Sequence, residues 1–221
     1  MKRQIITFVL IFGCLQQISL SQTQKSATDW YKSALDKYYH NDYQGAIADY
    51  DTAISLRPDF YLAFSSRGLA KSNLEDFQGA LADCNKAIKL KPDFAEAYNN
   101  RGIAKSGLED YQGAIADWTK AIKLKPDNAS AYNNRGNAKE RLKDYLGAVL
   151  DYNRAISINP DNAGAYANRG ASYLGLNLKD KALEDFNRAT MRGHDVPQEL
   201  LDKCKVDVDT TKGNVSVDTT K

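Results

Sequence analysis

Asn100-Arg101, Asn134-Arg135 and Asn168-Arg169 recur at intervals of 34 residues, with Ser66-Arg67 at the same interval before them. An amide offers donors and an acceptor together. A row of amides therefore matches the peptide group of a bound chain without demanding a side-chain sequence. Asn99, Asn133 and Asn137 would widen such a strip. The arginines run in step with a series of carboxylates, Asp49, Asp83, Asp117, Asp151 and Asp185. Lys71, Lys105 and Lys139 follow their arginines by four residues, on the same helical face. Opposite charges in step predict an ionic ladder inside a stack, because a buried charge needs a partner. An arginine row that reads acidic ligands is the functional alternative.

Catalytic chemistry finds no comparable support. His40 and His194 stand beside no cysteine, serine motif or carboxylate cluster, and read as surface turn residues. No glycine-rich phosphate loop is present; the glycines are spread singly along the repeats. The carboxylates recur with the period of the chain, whereas an acid/base pair would break it. Of three cysteines, Cys14 lies in the N-terminal apolar segment, Cys84 reads as a small core residue, and Cys204 has no partner at metal or redox spacing. No cofactor is expected.

The elements that must position these side chains follow from an internal period of 34 residues. Pro58, Pro92, Pro126 and Pro160 keep it, as do Gly68, Gly102, Gly136 and Gly170. Small residues repeat likewise, from Ala46 to Ala182 and from Ala53 to Ala189, and aromatics recur as Trp30, Phe64, Tyr98, Tyr132 and Tyr166. Five copies span 27–60, 61–94, 95–128, 129–162 and 163–194. Each carries apolar residues at helical spacing on two segments of roughly 14 residues, such as Tyr111-Ile115-Trp118-Ile122. Asp42, Asp76, Asp110 and Asp144 precede the second segment as N-caps. The Pro-Asp pairs Pro92-Asp93 and Pro126-Asp127 are expected to stop one hairpin and cap the next. Gly102 opposite Ala114 is expected to let two helix backbones cross closely. One hairpin cannot bury its own apolar face, so the copies must stack.

This unit resembles the tetratricopeptide-repeat (TPR) family over about three quarters of the chain, with small, aromatic and proline positions in register over five copies. The resemblance implies an all-α, right-handed α-solenoid of five helix hairpins with a concave groove. It also implies that Asn100, Asn134 and Asn168 face that groove. The amide row is similar to the asparagine ladder of O-linked GlcNAc transferase; Ser66 and Lys32 take its place in copies two and one. The carboxylate clamp of TPR chaperone adaptors is matched only in its amides, by Asn133, Asn137 and Asn168, which argues against a C-terminal carboxylate as ligand. Tyr31, Tyr38 and Tyr39 either enrich the groove mouth in aromatics or pack beneath the N-terminal segment. The expected partner is a protein or peptide, and the expected role is that of a non-catalytic scaffold. The alternative is a structural module of an envelope complex that assembles through its ends or convex face.

The ends of the chain read differently. Lys2 and Arg3 before an apolar run from Ile5 to Leu15, then Ser19-Leu20-Ser21, give the order of a signal peptide over residues 1–21. Ile11-Phe12-Gly13-Cys14 also reads as a loose lipobox, which would anchor the chain through Cys14. Either reading places the mature chain outside the cytoplasm, released or anchored, with no membrane-inserted segment. Loss of Lys2 and Arg3 takes the 30 basic residues to 28, equal to the 28 acidic ones, none of which precedes Asp29. A neutral chain argues against nucleic acid as partner, since that binding rests on a basic surface. At the other end, 195–205 reads as a capping helix whose Leu200 and Leu201 cover the last hairpin. The Val/Asp/Thr/Lys-rich stretch 206–221 is expected to be disordered.

Overall fold

The structure, a computed structural model, describes residues 25–205. The expected leader at 1–21 and tail at 206–221 lie outside the described residues. Ten helices form five hairpins: α1 (Ala27–Tyr39) with α2 (Tyr43–Leu56), α3 (Tyr61–Asn73) with α4 (Phe77–Leu90), and α5 (Ala95–Gly107) with α6 (Tyr111–Leu124). The series continues with α7 (Ala129–Arg141) and α8 (Tyr145–Ile158), then α9 (Ala163–Gly175) and α10 (Lys179–Thr190). A short α11 (Gln198–Cys204) ends it. The hairpins fall in the register that the 34-residue period predicts, and the fold is the expected α-solenoid.

Its curvature follows from which helices meet. Each second helix packs on its own first helix and on the first helix of the next repeat. First helices of successive repeats also touch each other, as α3 and α5 do, whereas second helices of successive repeats do not. The first helices are therefore drawn together on an inner, concave layer and the second helices spread outside. Fully buried Tyr50, Cys84, Trp118, Tyr152 and Phe186 fill one equivalent site per hairpin, surrounded by alanines at zero exposure. At the last hairpin Leu200 and Leu201 of α11 pack on the cluster of Tyr166, Phe186 and Val196, as expected of a cap.

At the crossings it is the bulky residue that occupies the glycine's free space. A Cβ on Gly102 would sit 2.7 Å from Cε2 of Trp118, and one on Gly136 would sit 2.6 Å from Cε1 of Tyr152. The expected backbone approach to Ala114 is thus not the limiting contact; the aromatic ring is.

The turns within hairpins repeat one hydrogen-bond pattern. Asp144 N–H donates to the Lys139 carbonyl and Lys143 N–H to the Glu140 carbonyl, and all five turns share this pair of bonds. It is the Schellman closure, which requires a left-handed residue after the helix C-cap. Asn41, Glu75, Glu109, Lys143 and Asn177 occupy that place at φ of 58 to 62°. The next residue, Asp in four copies, then caps the second helix by accepting from Gly45, Gly79, Gly113 or Gly147 at 2.9 Å. A glycine in the left-handed well avoids the Cβ clash that Lys143 carries. Lys143→Gly is therefore expected to raise unfolding free energy by up to about 1 kcal/mol, read by urea denaturation. Loss of stability would contradict it.

The Pro-Asp expectation needs correction. Asp93 and Asp127 are exposed and cap nothing. The N-cap is one residue later: Phe94 without a side-chain bond at α5, and Asn128 and Asn162, whose side chains accept from Ala131 and Ala165 at 3.1 Å. The chain needs one more extended residue to turn from the proline into the next hairpin.

Candidate functional site

The ladder forms as the charge pattern predicts, within each repeat. Arg67, Arg101, Arg135 and Arg169 lay a guanidinium fork on Asp83, Asp117, Asp151 and Asp185, with both bonds between 2.5 and 2.9 Å. The third nitrogen reaches back to the preceding repeat, to Asp51, Asn85, Thr119 or Asn153. Lys71, Lys105 and Lys139 add a second cation at 2.8 Å to three of these carboxylates. The periodic aromatic gains a reason as well: each guanidinium lies 5.4 to 5.6 Å from Phe64, Tyr98, Tyr132 or Tyr166. In copy one Ser33 and Lys37 serve Asp49. Burial acts to raise that carboxyl, and the bonds from Lys37 and Ser33 outweigh it and hold it below its usual range. The stability it gives is present above the unfolded carboxylate value and is lost as pH falls through the lower folded one. These guanidiniums are spent on holding repeats together, so the row is not laid out as an open reader of acidic ligands.

The amide row splits into different roles. Asn100 is buried and donates to the Ser65 carbonyl at 3.2 Å and to Ser65 Oγ at 3.1 Å, tying α5 to α3. Asn99 donates to Asn100 Oδ1, and its backbone carbonyl accepts from Trp118 Nε1 at 3.2 Å. Asn168 donates to Asn137 Oδ1 at 2.9 Å and more weakly to Asn133 Oδ1 at 3.4 Å, tying α9 to α7. Asn134, half-buried on α7, makes no side-chain hydrogen bond among the described residues. So the row is knitted across repeats at both ends, and Asn134 between them has no side-chain partner among the described residues.

Beside this row the inner face opens into a cavity of about 350 Å³. Tyr31, Tyr38 and Tyr39 of α1 and Leu62 and Leu69 of α3 wall it, and Phe94 and Asn100 close the far side. Tyr31 leans on Phe60 and Tyr50, at ring separations of 5.1 and 5.7 Å. Tyr39 stands 77% exposed at the mouth, edge-on to Tyr38 at 5.9 Å. Tyr50 lies at the floor with a fully buried hydroxyl that faces Ser66 without meeting hydrogen-bond geometry. Burial pushes that phenol above its ordinary value. Burial likewise pushes the Cys84 thiol up to about 12, which makes it an inert core group.

Profiles described as "Tetratricopeptide repeat" match residues 31–95, 129–162 and 163–192, and one described as "TPR repeat" matches 108–143. Together they take in more than half of the chain. It belongs to the tetratricopeptide-repeat family. Solved structures agree with the TPR fold. A MamA protein is 26% identical over 75% of this chain and 91% of its own, with a TM-score of 0.62. A chain of the APC/C hetero-tetramer Cut9-Hcn1 is 20% identical over 81% of this chain and 36% of its own, at 0.76. YrrB, described as a TPR protein with an unusual peptide-binding site, is 20% identical over 80% and 91%, at 0.58. A search of curated proteins finds no match.

Within the TPR frame, the inward positions of α1 and α3 are the ones that sequence reading placed least well. Tyr31, Tyr38 and Tyr39 were assignable to the groove mouth only as one of two options; the structure puts all three at the cavity. Tyr50, in register with Cys84, Trp118, Tyr152 and Phe186, reads as core and not as cavity lining, and Phe94, from the link between repeats, gave no signal. No helix among the described residues is long and apolar enough to cross a membrane. No group of three or more His, Cys, Asp or Glu among them is placed to hold a metal ion.

Proposed function

We propose that the chain is a non-catalytic scaffold outside the cytoplasm that binds an extended segment of a protein partner along the concave face. The carrying observation is the aromatic cavity between α1 and α3, with Tyr39 exposed at its mouth and the Tyr50 hydroxyl without a partner at its floor. A partner's apolar side chain buries itself there, and aromatic walls of this kind supply much of an interface's energy. The unengaged Asn134 amide takes backbone groups further along. Asn100 serves the fold first and contributes at most an edge of the cavity. The segment from Lys2 to Leu15, with its basic start and apolar run, supports export, either by release or by a lipid on Cys14. YrrB, with its peptide-binding site, has the same fold.

A second reading draws on the outer layer. Leu146 and Leu150, one turn apart on α8, are 67% and 69% exposed, where the other copies carry glutamine, alanine or acidic residues. An apolar step of this kind suits assembly through the convex face. A photo-crosslinking residue at Ser66 in the cavity and another at Leu150 separate the two. The groove reading expects partner adducts from position 66 and none from position 150; adducts confined to position 150 would replace it with the second reading.

A further inference from the structure

Repeat four departs from the array at its inward-facing positions. Asn137 stands where the other copies have leucine, isoleucine or alanine, and Glu140 where they have tyrosine, serine or leucine. Arg141 stands where they have tyrosine, asparagine or glycine. Four copies stack without these polar groups, so packing does not call for them. They line, with Tyr145 and Asn168, a second cleft of about 410 Å³ on the inner face.

At Glu140 the carboxylate oxygens have more acceptor capacity than the two hydroxyls that reach them fill. Tyr152 Oη lies 2.8 Å from Asn137 Oδ1 and 3.0 Å from Glu140 Oε2, yet it has one proton to give. Ser172 Oγ reaches the same Glu140 oxygen at 3.4 Å, and Glu140 Oε1 has no hydrogen-bond partner among the described residues. Glu140 forms no ion pair among them; the neighbouring ladder cations Arg135 and Lys139 are held by Asp151. Arg141 is exposed at the rim. A half-buried carboxylate whose hydrogen bonds come only from neutral hydroxyls, with the Arg141 charge acting on it from the rim without an ion pair, keeps acceptor capacity for a cation that brings several donors.

We infer that this cleft is the subsite for a basic side chain of the bound segment, an arginine guanidinium above all, seated on Glu140 and Asn137 against the Tyr145 ring. The inference rests on the groove reading above and adds its polarity: an apolar anchor at repeats one to three, and a cation at repeats four and five. Burial alone pushes the Glu140 carboxyl above its usual range, and an incoming cation offsets that cost.

The test is an NMR titration of the chain with Nα-acetyl-arginine methylamide, and with its glutamine and glutamate counterparts. The side-chain amides of Asn137 and Asn168 are followed together with the Glu140 carboxyl carbon. The arginine probe is expected to shift all three saturably, and Glu140→Gln to weaken its binding about tenfold or more. The glutamine probe is expected to leave them still. An equal response in Glu140→Gln, silence toward the arginine probe, or a response to the glutamate probe alone would overturn the assignment; in the last case Arg141 is the reader. Saturation by arginine beside crosslinks confined to Leu150 would fail the groove reading and keep the subsite. Groove crosslinks with a silent arginine probe would do the reverse.

Discussion

Arg135→Ala is expected to cost about 3–5 kcal/mol of unfolding free energy, the usual penalty for removing one member of a buried ion pair. Asp151 is 5% exposed at its side chain and accepts two bonds from the Arg135 fork. Truncating the arginine leaves this carboxylate to Lys139 alone and removes the link from Arg135 to Thr119 in the preceding repeat. The Tyr132 ring also loses the guanidinium beside it. A repeat array unfolds by neighbouring interfaces, so the loss is expected to appear first as reduced amide protection in α6 to α8. A paired replacement, Arg135→Met with Asp151→Leu, is expected to recover most of the stability, because two apolar groups no longer need each other's charge. Urea denaturation of the three proteins checks this. An Arg135→Ala protein as stable as the parent would remove the ladder from the account.

Trp118→Ala is expected to lose a similar amount, about 3–5 kcal/mol. The ring is 2% exposed, fills the space that Gly102 leaves, and packs with Ala121, Ala131 and Ala138 at the seam between repeats three and four. Its Nε1 donates to the half-buried Asn99 carbonyl, so truncation also removes a hydrogen bond between the two helices of the repeat. The seam is built of alanines, which cannot move in to refill the void. Trp118→Phe, the residue type at Phe186 in the equivalent site of repeat five, is expected to keep most of the packing. Thermal melts and denaturant midpoints measure both; a Trp118→Ala loss under 1 kcal/mol, a small fraction of the buried-aromatic cost, would mean that the seam repacks.

Much of the architecture was legible because it repeats. Five copies in register expose the positions the fold uses four or five times: the aspartate caps, the Arg–Asp ladder, the small residues at the crossings. Legibility fails where a position acts once or depends on its opposite number. Asn100 and Asn134 are equivalent in sequence, yet Asn100 turns inward because Ser65 opposite it is short and offers both a carbonyl and a hydroxyl. Asn134 meets Asn99 at the matching place and forms no such bond. The left-handed turn residues were hidden because glutamate and lysine rarely occupy that well; only Asn41 and Asn177 are of a type that favours it. The cavity was out of reach for a third reason. It joins residues of one second helix, three first helices and an inter-repeat link, which no periodicity brings together.

The groove is the central claim, and a displayed library of random twelve-residue peptides tests it most directly. It would be panned in parallel on the parent chain and on a Tyr39→Ser, Asn134→Ala double variant. Tyr39 is exposed and Asn134 makes no side-chain bond, so the variant is expected to fold as the parent does, which circular dichroism checks. The account predicts that the parent enriches peptides with an apolar or aromatic anchor, and that these peptides lose affinity at least about tenfold on the variant. Enrichment of the same peptides with equal affinity on both proteins, or no enrichment on the parent, would contradict it.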